Sequence, residues 1–194
     1  YHIEGLNWLV RNIPIDGLYL DDVSYDRTVL KRMRKVLERA RPGCLIDLHS
    51  NTAFSIGPAN QYAEFFPYVD RLWFGESFQY DRMTPDQWLV ECSGIPFGLM
   101  GDMLQGGGNR WLGMVYGMTA RLPWTGASDP RPVWKVRDDF GIAGARMSGY
   151  WDPGCPVRTG RDLVKATAYV RDGRTRIALA SWESAPVSCT LEID

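Results

Sequence analysis

The chain has 194 residues, 45% hydrophobic and 23% charged, which is ample for a substantial core and argues against disorder or membrane insertion. Its 22 basic residues nearly balance 23 acidic ones, for a formal charge of -1, so the electrostatic footprint of a nucleic-acid or anionic-membrane partner is missing and a neutral substrate fits better. The four cysteines (Cys44, Cys92, Cys155, Cys189) form no CxxC pair and the only histidines are His2 and His49, a pattern that argues against zinc.

The first residues carry Ile3, Leu6, Leu9 and Val10 at helical spacing, closed by Pro14. The opening reads as the middle of a helix without an initiator Met, so an excised piece is expected and a missing signal peptide carries no information. A strand is predicted from Asp16 to Asp21. Asp26 can cap the next helix, whose apolar stripe is Val29, Leu30, Met33, Val36 and Leu37; Lys31, Arg32, Arg34, Lys35, Glu38 and Arg39 form its expected wet face. Pro42-Gly43 ends that helix before a second strand, Cys44 to Leu48.

A helix broken by Pro67 is expected between Asn60 and Val69, then a third strand from Arg71 to Phe74. Thr84-Pro85-Asp86-Gln87 has a capping residue, Pro at the first helical position and Gln at the box position, so a helix should run to about Cys92. Phe97 to Met100 reads as a fourth strand ending at Gly101-Asp102, and Trp111 to Leu122 as an apolar helix. Between them, Gly106-Gly107-Gly108 lacks the following Lys-Ser/Thr of a phosphate loop and any GxGxxG register, so it reads as a flexible βα loop. Val133 to Phe140 looks helical, and Arg146 to Trp151 is expected to be a last barrel strand.

Beyond Pro153 the period falls to two: Val164, Ala166, Ala168 and Val170 point one way, Lys165, Thr167 and Tyr169 the other. Asp172-Gly173 then reads as a type I′ hairpin turn before Thr175 to Ser181. Val187 to Ile193 is expected to complete a small meander.

Three apolar strands end in ionisable groups and are followed by helical stretches, which is the grammar of a (β/α) barrel with its chemistry at the carboxyl ends of the strands. Aligned as a rim, Asp21, Asp22, Asp47, His49, Glu76 and Asp102 share one face. With no phosphate loop, nucleophilic Ser–His pair or metal cluster competing, paired carboxylates doing acid/base work on a glycosidic bond is the economical reading. Asp21 follows an apolar strand, where a carboxylate without a partner or a task is costly. Asp22 also reads as a turn cap, and Asp102 as an anchor for the glycine loop. Trp73, Trp111, Trp124 and Trp151 are candidate sugar platforms or core fillers.

Asp16-Gly17-Leu18-Tyr19-Leu20-Asp21 with Tyr25-Asp26-Arg27, Leu45-Ile46-Asp47-Leu48-His49-Ser50, Leu72-Trp73-Phe74-Gly75-Glu76, Gly94-Ile95-Pro96-Phe97-Gly98 and Leu122-Pro123-Trp124 together resemble bacterial proteins of the glycoside hydrolase family 123-like type. The resemblance implies an α/β fold: part of a (β/α)₈ TIM barrel, about strands 4 to 8, over residues 1–153, then a small antiparallel β-sandwich-type domain over 154–194. A complete barrel takes roughly 250 residues, so either the N-terminal half of the barrel lies on polypeptide outside this chain or the chain makes an unusual open sheet, and the β domain is expected to be truncated. The resemblance also implies a secreted or periplasmic setting.

Two mechanisms follow from it. Asp21 acts as nucleophile with Glu76 as general acid/base, or Asp21 orients the acetamido group of an N-acetylhexosaminide while Asp22 donates the proton. The family's pair is Asp-Glu where this chain has Asp-Asp. Asp47, His49, Trp73, Asp102 and Trp124 are the expected substrate-binding residues, a glycan the expected partner, with no metal or organic cofactor. The rival from another class is a non-catalytic carbohydrate-binding or structural barrel.

Overall fold

The computed structural model describes residues 1–21, 26–49, 63–73, 82–102, 110–120, 122 and 129–194. The chain divides into two compact units, Tyr1–Phe78 with Val90–Asp102, and Gln79–Leu89 with Met103–Asp194.

The first unit holds helix α1 (His2–Asn12), strand β1 (Gly17–Leu20), helix α2 (Arg27–Ala40) and strands β2 (Leu45–His49), β3 (Arg71–Trp73) and β4 (Met100–Asp102). The strands form one parallel sheet in the order β1-β2-β3-β4. Strictly parallel pairing in chain order aligns every carboxyl end on one edge. Asp26 caps α2 as expected, its carboxylate accepting from Val29 N–H at 2.9 Å, and the helix buries Leu30, Met33 and Leu37. Arg34, expected on the wet face, is instead half-buried. It donates to the carbonyls of Cys44 (2.7 Å) and Tyr68 (3.0 Å) and to the Asp70 carboxylate (2.5 Å), and Asp70 accepts from Ile46 N–H as well. A guanidinium with several fixed acceptors tolerates burial that a helical stripe pattern assigns to solvent.

The fourth strand starts later than the apolar run suggests. Ile95–Phe97 is a 3-10 turn between Gly94 and Gly98, both left-handed, and only Met100–Asp102 pairs with β3. At Gly101 the backbone closes on Ser93, with an N–H···O bond of 2.8 Å, and a Cβ there would sit 2.1 Å from the Cys92 carbonyl oxygen. A side chain is sterically excluded.

The second unit contains helix α3 (Pro85–Gln87), opened by the complete Thr84–Gln87 capping box, then α4 (Arg110–Gly113), α5 (Arg131–Phe140) and strands β5 (Arg146–Ser148), β6 (Val157–Arg158), β7 (Val164–Arg171), β8 (Arg174–Ser181) and β9 (Glu192–Ile193). The helix expected to reach Leu122 is cut short: α4 passes into a 3-10 turn, Met114–Tyr116, and left-handed Gly117 ends it. β7 and β8 pair antiparallel through Asp172-Gly173, both at positive φ, as a type I′ turn demands.

Two expectations fail here. β5 pairs antiparallel with β7 and so belongs to the hairpin's sheet, not to a parallel wall. The last strand, only Glu192–Ile193, pairs with β6 in a separate two-stranded sheet instead of completing the meander. The polar-looking side of β7 is also buried: Thr167 donates to the Val115 carbonyl at 2.6 Å and Tyr169 to that of Met114. The other side packs Cys155, Val157, Ala166 and Ala168 with Val170 and Ile177. Burial raises the Tyr169 phenol to about 12. All four cysteines are free thiols.

Candidate functional site

Register decides which side chains share a face of the parallel sheet. Tyr19 pairs with Asp47 and Asp47 with Arg71, while His49 pairs with Trp73 and Trp73 with Asp102. Because alternate residues point the same way, Tyr19, Asp47, His49, Arg71, Trp73 and Asp102 line one face. The opposite face carries Leu18, Leu20, Ile46, Leu48 and Leu72, all but the first buried. Continuing the Gly17↔Leu45 register one residue beyond β1 brings Asp21 beside His49.

The side chains bear this out. His49 Nδ1 lies 2.6 Å from Asp21 Oδ1, joining a ring that is 4% exposed to a carboxylate whose side chain is 70% exposed. The Tyr19 ring stacks on the imidazole with centroids 6.0 Å apart and meets Trp73 edge-on at 6.4 Å. Deeper along the face, Arg71 bridges two acids: Nε donates to Asp47 Oδ2 at 3.0 Å, Nη2 reaches the same oxygen, and Nη1 lies 2.8 Å from Asp102 Oδ2. Trp73 Nε1 approaches Asp47 at 3.5 Å, and the guanidinium lies 5.0 Å from the Trp73 ring centroid. Burial works against the Arg71 charge, but the hydrogen bond to Asp47 and the charges of Asp102 and Asp47 outweigh it, so its pKa is raised.

The expected site residues therefore separate into two groups. Asp21 and His49 meet at the sheet's carboxyl edge, whereas Asp47, Trp73 and Asp102 gather around Arg71 inside the face. Asp102 is fully buried. Asp22, Glu76 and Trp124 lie outside the described residues, as does the glycine loop. Sequence reading missed Arg71 and Tyr19. The usable signal was their two-residue spacing from Trp73 and Asp21, which puts each on the polar face once the strands are parallel. Among the described residues, no group of three or more His, Cys, Asp or Glu side chains is placed to hold a metal ion, and no helix is long and apolar enough to cross a membrane.

An acid-bearing edge on a parallel sheet is common to many enzymes, and comparison with known families narrows it. The glycoside hydrolase 123 TIM-barrel domain model matches residues 1–123, more than half of the chain. The chain belongs to the glycoside hydrolase 123 family. The C-terminal domain model of the same family matches residues 129–194, so both parts of the chain carry the family's domains. No curated protein and no solved structure matches the chain.

Within the glycoside hydrolase 123 family, the parallel sheet β1 to β4 falls in the TIM-barrel domain match and the strands β5 to β9 in the C-terminal one. The Asp21–His49 pair and the Arg71 cluster both lie within residues matched to the barrel domain.

Proposed function

We propose that the chain is a glycosidase whose β1 to β4 form the fourth to seventh strands of a TIM barrel, followed by a β-sandwich-type domain, and that it cleaves a neutral or N-acetylated glycan with carboxylates at the strand ends. Family membership and the sequential parallel order support this reading. The observation that carries it is Asp21: an exposed carboxylate immediately past β1, braced at 2.6 Å by a buried histidine of the next strand. Asp21 thus turns Oδ1 to a side chain of the neighbouring strand, 28 residues further along the chain.

Membership of the family favours acetamido participation. Asp21 orients the substrate's acetamido group so that its carbonyl oxygen attacks the anomeric carbon, while Asp22 protonates the departing oxygen; water then opens the cyclic intermediate with Asp22 acting as base. The competing double displacement makes Asp21 the nucleophile and Glu76 the acid/base. Asp47 and Asp102, both engaged with Arg71, are assigned to holding the sheet interior, and Trp73 and Trp124 to sugar stacking.

The test is hydrolysis of aryl N-acetylhexosaminides by the full chain. Turnover that is blocked by a thiazoline mimic of the cyclic intermediate, with no covalent adduct from a 2-fluoro sugar, supports acetamido participation. A trapped glycosyl adduct selects double displacement. Sugar binding without turnover at any pH makes the chain a carbohydrate-binding protein and refutes the glycosidase reading.

A further inference from the structure

His49 is the one histidine at the sheet edge, and its two ring nitrogens have opposite surroundings. Nδ1 faces Asp21 Oδ1 at 2.6 Å, while Nε2 is buried with no hydrogen-bond partner among the described residues. A bond of that length to a carboxylate requires a proton on Nδ1, since the carboxylate offers only lone pairs. A second proton on Nε2 would put a buried donor, and a net charge on the ring, where no acceptor waits among the described residues. That is far costlier than leaving a lone pair unmatched. Of the two neutral tautomers, the one protonated on Nδ1 fits this geometry. Tyr19 stacks on the ring with its centroid 6.0 Å away and its plane 26° from parallel.

We propose that His49 is a positioning residue for Asp21: locked in the Nδ1-protonated tautomer, it holds Oδ1 and leaves Oδ2 as the oxygen that meets the substrate. The inference rests on the glycosidase reading of Asp21 and adds the reacting atom and the group that aims it. It separates two jobs that one carboxylate could otherwise exchange by a flip about its last torsion. Asp21 is 70% exposed on its side chain, and among the described residues no other partner fixes that torsion. A histidine that merely filled space beneath Tyr19 would need no particular tautomer, and an apolar ring of similar size would replace it.

Two measurements on the full chain test this. The first is nitrogen NMR of the imidazoles in neutral solution, with His49 distinguished from His2 by comparison with His49→Asn. The expected result is a protonated Nδ1 and a bare Nε2, and in Asp21→Ala a proton redistributed between both nitrogens. A ring protonated on Nε2, or one indifferent to Asp21→Ala, overturns the proposal. The second compares two variants on an aryl N-acetylhexosaminide. His49→Asn keeps a donor near the Nδ1 position and should retain kcat within about tenfold, whereas His49→Phe keeps the ring but no donor and should lose about a hundredfold in kcat with KM little changed. The reverse order, Phe active and Asn inactive, marks a space-filling ring and overturns it. Should either variant fail to fold, the tautomer of the unsubstituted chain decides alone. A chain with the expected tautomer but no turnover on any glycoside refutes the glycosidase reading while leaving the Asp21–His49 pairing established.

Discussion

The parallel sheet and the β7–β8 hairpin solve the same problem, a polar side chain on a buried sheet face, in opposite ways. On the hairpin, Thr167 and Tyr169 give their hydroxyls to the main-chain carbonyls of Val115 and Met114, so each polar group is neutral and satisfied within the scaffold. On the parallel sheet the polar side chains answer one another: Arg71 holds Asp47 and Asp102, and His49 holds Asp21. The hairpin's arrangement ends in backbone. The parallel sheet's arrangement ends in a carboxylate exposed at the strand edge, where the proposed chemistry is placed.

The contrast can be broken most forcefully at its charged end. Arg71→Met takes from the fully buried Asp102 and from Asp47 the guanidinium they share and should cost about 3 kcal/mol or more in denaturant unfolding; a loss below 1 kcal/mol would mean the acids do not depend on Arg71. Gly101→Ala drives a methyl group into the Cys92 carbonyl and should cost about 2 kcal/mol, read as a lowered melting temperature. On the hairpin, Tyr169→Phe removes one neutral hydrogen bond and should cost only about 1 kcal/mol. That variant also sharpens the comparison by pH. Burial raises the Tyr169 phenol to about 12 from its ordinary 10.0, so the neutral form is favoured in the fold. Its contribution is complete below about pH 10 and lost as pH rises through about 12, and the phenylalanine variant should lack that alkaline step. The smallest effect concerns the exposed Asp129. Its hydrogen bonds from Arg131 hold it down to about 2 from 3.8, so its favourable contribution is present above about pH 4 and fades as pH falls towards 2. Carboxyl NMR titration should show that low midpoint, returning to the ordinary range in Arg131→Ala.

Local signals were legible in the amino-acid sequence where a few adjacent residues decide the outcome. The Asp26 cap, the Thr84–Gln87 box and the Asp172-Gly173 turn each rest on a mechanism confined to four residues. β1 and β2 could be read from apolar runs bounded by Pro and Gly. Pairing partners were not legible: β5 and β9 are three and two residues long, too short to carry a period, and their direction depends on chain distant in sequence. Arg34 and Arg71 were misread or overlooked for a common reason. A charged residue in a pattern looks solvent-facing, and only the fold reveals the carbonyls and carboxylates that make its burial tolerable. In the candidate site, Asp21 and His49 were recognised individually from their strand ends. Their contact needed the register that sets Gly17 against Leu45.

The most direct test of the central claim, that the parallel edge presents Asp21 as the acting carboxylate, is kcat/KM of Asp21→Asn on an aryl N-acetylhexosaminide alongside its melting temperature. With Asp21 exposed, the account predicts a fall in kcat/KM of about a thousandfold or more and a melting temperature close to that of the unsubstituted chain. Turnover within a few-fold of the unsubstituted chain would contradict it.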